Sequence, residues 1–163
     1  MSEIEGSTGA EGATDESDGV VFEIRKVYTK DISLETPNSP QVFTQEWNPD
    51  VNVQLQTEAN KLDESFFDVV LSVTVTAKLG DRTAYLVEVH QAGIFEIGAV
   101  PEEELGPVLG SVCPGILFPY AREAVSDLIT RAGFQPMLLT PVNFDALYYK
   151  HVMEAQATQE QTH

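Results

Sequence analysis

The 163-residue chain has a single cysteine, Cys113, and only nine Lys and Arg against 26 Asp and Glu. One cysteine cannot form a disulfide within the chain, which fits a reducing compartment. Nucleic-acid backbones and anionic membrane surfaces would repel a net charge of −17, so neither is an expected partner. No run of 18 apolar residues occurs, so no membrane-spanning helix and no direct membrane insertion are expected. The opening MSEIEGSTGA carries neither a basic stretch nor an apolar one, from which we expect no secretory signal and a cytoplasmic location. Neither G-x-x-x-x-G-K-[ST] nor G-x-G-x-x-G occurs, so there is no phosphate cradle for a nucleotide. The histidines, His90, His151 and His163, pair neither with one another nor with Cys113 at metal-ligand spacing. Cys113 precedes Pro114 without a basic neighbour, and nothing local would activate its thiol, so it reads as a small packed hydrophobe. Glu102, Glu103 and Glu104 follow Pro101 and read as the start of a helix, not as an acid–base pair. No enzymatic activity, cofactor or metal is expected.

What is present points to one soluble domain with a real core, since apolar residues make up 42% of the chain. Residues 1–19 hold six acids and no base among Gly, Ser, Thr and Ala, a composition that cannot bury enough apolar surface to order itself, and read as a disordered acidic arm. Residues 20–153 form the domain, and the Gln-rich 154–163 reads as a flexible tail. Within the domain the first half alternates with period two. Val20, Phe22, Ile24 and Tyr28 are expected on one face and are continued by Ile32 and Leu34, with Asp31, Ser33 and Glu35 facing away. Residues 36–50, with three prolines and two Asn among Val42, Phe43 and Trp47, read as a long crossing loop. Val51, Val53 and Leu55 alternate with Asn52, Gln54 and Gln56. The strongest strand spans residues 66–79, with Val70 breaking its parity. After a Gly80–Asp81 turn, Tyr85, Val87 and Val89 point inward and Leu86, Glu88 and His90 outward. The period then becomes helical. Gly106-Pro107 is expected to shorten a first helix and Cys113-Pro114-Gly115 to break the chain. A helix follows from Leu117 to Ala132 with Leu117, Tyr120, Ala121, Ala124, Val125, Leu128 and Ile129 as its stripe, and Gly133 as its cap. Asn143 caps a last helix. The fold class is α+β, a four-stranded antiparallel meander with helices packed on one face.

Two features exceed a bland soluble domain. Asp31, Glu35, Leu86 and Glu88 share the wet face of the sheet. An exposed Leu among carboxylates suits a basic partner, although the same face could simply keep the protein in solution. Phe43 and Trp47 sit among prolines, where they either seal the edge of the core or line a groove for an apolar ligand.

The blocks VYTKDIS (27–33), Pro37-Asn38 with Pro40, Val42 and Phe43, VTVTAKLG (73–80), CPGILFPYARE (113–123) and PVNFDALY (141–148) resemble SecB, the bacterial protein-export chaperone family, in order and spacing over about residues 20–150. The resemblance implies an ATP-independent chaperone that holds newly made preproteins unfolded and delivers them to the SecA ATPase. It implies SecA contacts at Asp31, Glu35, Leu86 and Glu88. It also implies a client groove along Phe43, Trp47, Val51, Val53, Leu55 and Tyr148, and a homotetramer built as a dimer of dimers. The strand bearing Val87, Val89 and Gln91 and the helix after Pro101 would then be assembly surface. A second reading within the same family is a chaperone of a toxin–antitoxin system.

Overall fold

The computed structural model describes residues 19–162; the expected acidic arm lies outside them except for Gly19. Strands β1 (Val21–Glu35), β2 (Asp50–Lys61), β3 (Phe66–Leu79) and β4 (Arg82–Gly98) form one antiparallel sheet. Its order is β1-β4-β3-β2, which corrects the expected meander. Only β2, β3 and β4 follow one another, and β1 pairs with the far side of β4. The chain therefore leaves one edge of the sheet and re-enters at the other. Four strands at ~4.8 Å spacing put these edges only about 14 Å apart, well within reach of a 36–49 loop too long and Pro-rich for a hairpin. Asn38 moors that loop by donating from Nδ2 to the Thr83 carbonyl at 2.9 Å, and Val42 plugs the core beneath it.

Helices α1 (Glu102–Pro107), α2 (Cys113–Arg131) and α3 (Phe144–Glu160) lie on one face. α2 packs across β3 and β4. Val69, Leu71, Val73 and Val75 from β3, Val87, Val89 and Phe95 from β4, and Leu117, Ala121, Val125 and Ile129 from α2 are fully buried between them. Alternation puts every second strand residue on that face, and burying these side chains is the main stabilising term of the domain.

β1 departs from simple alternation twice. Its register with β4 slips between Ile24 and Lys26 and again between Thr29 and Asp31, which makes Arg25 and Lys30 the extra residues of two bulges. Each slip reverses the parity, so Val27 and Thr29 face the helices while Lys26 and Tyr28 face away. Tyr28 was expected inward with Phe22 and Ile24; the first bulge turns it to the outer face, where it lies in register with Ala92 and, one strand on, Val70. The second slip restores the original parity, so Ile32 and Leu34 face the helix side and Asp31, Ser33 and Glu35 the outer side. Both extra residues are cations that reach carboxylates: Arg25 bonds Glu96 and Glu23, and Lys30 lies 3.2 Å from Asp68.

The prolines do not interrupt the helical run as expected. A widened π-turn, Val108–Val112, joins α1 to α2 without a break, so Cys113-Pro114-Gly115 begins α2. A turn with i→i+5 spacing is where a helix accommodates missing N–H donors and ring clashes. On α2, Phe118 is buried and Tyr120 is 52% exposed, so Tyr120 lies outside the expected stripe. Gly133 ends the helix at φ +94°, with Phe134 N–H donating to the Ile129 carbonyl at 3.2 Å, as a C′ glycine does. Asn143 caps α3 by accepting from the Ala146 N–H at 3.0 Å. α3 continues to Glu160 through the stretch expected to be a frayed tail, because Glu, Ala and Gln are good helix formers; its residues from Met153 onward are nonetheless exposed.

Candidate functional site

Two surfaces stand out, one on each side of the sheet. On the outer side, Glu35 lies in register with Leu86, Ser33 with Glu88 and Asp31 with His90. Opposite residues on antiparallel strands have side chains about 5 Å apart on the same face, so Asp31, Glu35, Leu86 and Glu88 form one continuous patch. The lane extends across β3 and β2 through uncharged polar residues: Thr76 and Asn52 beside Leu86, Thr74 and Gln54 beside Glu88, Ser72 and Gln56 beside His90. A single apolar side chain thus lies on a surface that is otherwise acidic or amide- and hydroxyl-bearing.

The other half of the outer face is closed over by its own side chains. Tyr28 donates its hydroxyl to Asp68 at 2.6 Å, and that bond, with burial, pushes the Tyr28 phenol up to about 12. Asp68 and Val70, both on this face, are buried. Lone parity could not show this, because the cover comes from a residue whose facing is set by a bulge.

On the helix side, α2 covers the two central strands and leaves the β2 edge open. Val51 and Val53 are 42% and 43% exposed. Three hollows open on this side of the sheet. The first, about 170 Å³, is walled by Val42, Phe43, Trp47, Gly133 and Phe134. Phe43 and Trp47 each stack on Phe134 at 5.1 Å, and Trp47 also meets Tyr85 at 6.3 Å. Phe43 keeps 49% of its surface, so these aromatics seal one side of the core and still wall an open trough. The second hollow, about 180 Å³, lies between Val53 and Leu55 and the segment from Met137 to Val142, with Phe118 at its floor. The third, about 320 Å³, shares Leu55 and continues to Leu109, Leu147, Tyr148 and His151. Here Tyr148 lies flat on two glycines of the helical run: a Cβ on Gly110 would come within 2.4 Å of its ring and one on Gly106 within 2.5 Å of its hydroxyl. Of the residues implied for the client groove, Phe43 and Trp47 line the first hollow, Val53 and Leu55 the second, and Leu55 and Tyr148 the third; Val51 lines none of them and stands exposed on the same face of β2. Phe134, Met137 and Leu138 are additional walls; three consecutive apolar residues, 137–139, in a Pro-bounded loop were the signal for them.

Val87, Val89 and Gln91 lie elsewhere than implied. Val87 and Val89 are wholly buried under α2 and Gln91 is 4% exposed, with its Nε2 donating to the Tyr28 carbonyl at 3.0 Å. Parity sends these odd-numbered residues of β4 into the chain's own core, so no surface remains on them for a second chain. The bare apolar residues of that flank are instead Ile24, Ile32 and Leu34 on β1. Cys113 is fully buried, and burial pushes its thiol up to about 12, so it stays protonated and unreactive at neutral pH. Among the described residues no group of His, Cys, Asp and Glu is arranged to hold a metal, and no helix is long and apolar enough to cross a membrane.

Comparison with known proteins agrees with this architecture. The family model described as preprotein translocase subunit SecB matches residues 15–155. The protein-export protein SecB of Methylococcus capsulatus is 61% identical over 135 residues, spanning 83% of this chain and 87% of the relative. Those of Nitrosococcus oceani and Nitrosospira multiformis are 58% and 52% identical, over 83% and 88% of this chain and 84% and 90% of theirs. A solved SecB-like chaperone of Mycobacterium tuberculosis, in complex with a peptide from an antitoxin, superposes with a TM-score of 0.60 at 21% identity. The match covers 74% of this chain and 90% of that one, and at that identity it speaks to the fold alone.

Proposed function

The chain belongs to the SecB family, and we propose that it is a cytoplasmic, ATP-independent export chaperone that holds preproteins unfolded and hands them to SecA. The observation that carries this reading is the set of open apolar hollows on the side of the sheet opposite the acidic patch, two of them beside β2 and one beneath the crossing loop. A stretched polypeptide has apolar and aromatic side chains to place in such hollows, each gaining about 25 cal/mol per Å² buried. Ordering the client offsets much of that gain, so tight holding comes from many weak contacts made together. A homotetramer multiplies those contacts along one client. The bare Ile24, Ile32 and Leu34 on β1, and Tyr120 on α2, supply apolar surface for a second copy to cover. The acidic patch then binds SecA, with Leu86 contributing burial and Asp31, Glu35 and Glu88 the attraction for a basic surface. Relatives at 52–61% identity that bear the protein-export name favour this role over that of an antitoxin chaperone.

The test is arrest of refolding of a denatured preprotein, with assembly followed by light scattering. Trp47→Ala with Val53→Asp should weaken client holding about tenfold or more while the oligomer keeps its mass and its SecA affinity. Undiminished arrest by that variant would refute the groove.

A further inference from the structure

We propose that His90 is a positioning residue of the docking patch, and that its protonation cancels part of the negative charge the patch offers a basic partner. The inference rests on the docking role of the outer face. It deepens that reading at a residue that parity placed on the outer face but to which the family resemblance gave no part.

His90 stands at the junction of three strands, in register with Asp31 on β1 and with Ser72 on β3. Its Nε2 lies 2.6 Å from Glu88 Oε1 and its Nδ1 3.2 Å from Ser72 Oγ. An ionised carboxylate only accepts, so the Nε2 carries the hydrogen it donates to Glu88. In the neutral ring Nδ1 is then an acceptor, and the Ser72 hydroxyl donates to it. Glu88 is thereby held in one orientation beside Leu86 by a side chain that is itself held. A proton added to the ring goes to Nδ1, which now donates to Ser72 Oγ while the serine hydrogen swings away. Both hydrogen bonds survive. What changes is charge: the His90–Glu88 pair passes from −1 to zero without a rearrangement of heavy atoms.

The surroundings make that change consequential. From β4 the ring meets Glu88; from β1, Asp31, with Glu35 further along the strand and Lys30 engaged by Asp68. From β3 it meets Ser72 and Thr74, and from β2 Gln54 and Gln56, none of them charged. No free cation among these groups masks the effect, and a hollow of about 430 Å³ bounded by the same uncharged residues keeps the pair open to a partner. Imidazoles ordinarily titrate between pH 5 and 8. A cationic surface on the patch and a proton on His90 oppose each other, so the neutral ring favours the partner and the protonated ring disfavours it. One unit of charge about 6 Å from the contact, at an exposed site, corresponds to roughly a three- to tenfold change in affinity.

The experiment is calorimetric titration of the full-length protein with SecA at pH 8 and pH 6, for the wild type and for His90→Gln, which retains a donor but cannot titrate. The wild type should lose three- to tenfold more affinity between the two pH values than His90→Gln does, and His90→Ala should bind more weakly than His90→Gln at pH 8. Ring nitrogen shifts of the free protein should report the Nε2–H tautomer of the neutral ring. Binding with the same pH dependence in wild type and His90→Gln, or an Nδ1–H tautomer, overturns the inference and leaves the docking reading intact. Absence of SecA binding by the wild type at either pH overturns both.

Discussion

Leu86, Val87 and Glu88 are consecutive, yet Val87 is wholly buried beneath α2 while its neighbours stand on the opposite face among polar side chains. The same four strands build two surfaces of different character. The helix side is apolar, sealed over β3 and β4 and open along β2. The outer side is polar or acidic and open around β4 residues 86–90, with one end closed by Tyr28. Since a strand sends alternate residues to alternate sides, the apolar face and the acidic face can be changed independently, one residue apart. On the proposed function, that separation would let a partner dock without competing for the space a client occupies.

The largest effect should come from mixing the two faces at adjacent positions. Val87→Asp places a carboxylate where no water and no partner reaches and should cost about 3–5 kcal/mol. Glu88→Lys, one position on, changes a half-buried side chain at the surface and should stay within about 0.5–1 kcal/mol of wild type. Urea unfolding of the two variants measures the contrast directly. Equal losses would mean that β4 does not divide its residues between core and surface as described.

Next in size is the functional separation. Leu86→Arg with Glu88→Lys replaces the apolar contact and reverses a charge, and should weaken SecA binding at least about 30-fold, since charge reversal against a basic surface adds repulsion to lost attraction. Refolding arrest should be unaffected, because no wall of the trough is touched. SecA titration and arrest assays on one preparation would show it; loss of both activities together would indicate that the faces are coupled through the sheet.

What could be read from the residues and what could not follows the same division. The central strands were legible because burial imposes period two on β3 and β4, and Asp31, Glu35, Leu86 and Glu88 could be assigned to one face on parity. For Asp31 and Glu35 that assignment survives only because the slips at Arg25 and Lys30 cancel; Tyr28, between them, falls on the side opposite to expectation. Bulges add a residue without marking it in composition, and here both added residues are cations that read as ordinary surface. The placement of β1 beside β4 depends on which edges a long loop can connect, which no local pattern encodes. The π-turn depends on how three prolines are shared within one helical run. Ser72 and His90, eighteen residues apart, meet only through the β3–β4 register, so nothing local could have joined Ser72 to the Glu88–His90 pair. The trough was half legible: Phe43 and Trp47 announced themselves by being aromatic in a loop, whereas the seat of Tyr148 on Gly106 and Gly110 required the helix to pass within contact distance.

The smallest expected effect concerns the closed end of the outer face and sharpens its contrast with the open end. Tyr28 donates to Asp68, and its phenol is raised to about 12 from an ordinary value near 10. In the unfolded chain this tyrosine therefore ionises first. The stabilisation from the bond is fully present below about pH 10 and is lost as pH rises through about 12. Tyr28→Phe should cost about 1 kcal/mol near neutrality, since a hydrogen bond to a carboxylate is worth more than a neutral one but this site is only partly buried. The gap between wild type and Tyr28→Phe in urea unfolding should then shrink as the pH is raised from 8 to 11, the other tyrosines cancelling in the difference. Ser72→Ala, at the open end, should show no such narrowing over that range, because a serine hydroxyl does not change charge there. A gap for Tyr28→Phe that holds constant to pH 11 would mean that packing over Ala92 and Val70, and not the bond to Asp68, is what closes that half of the face.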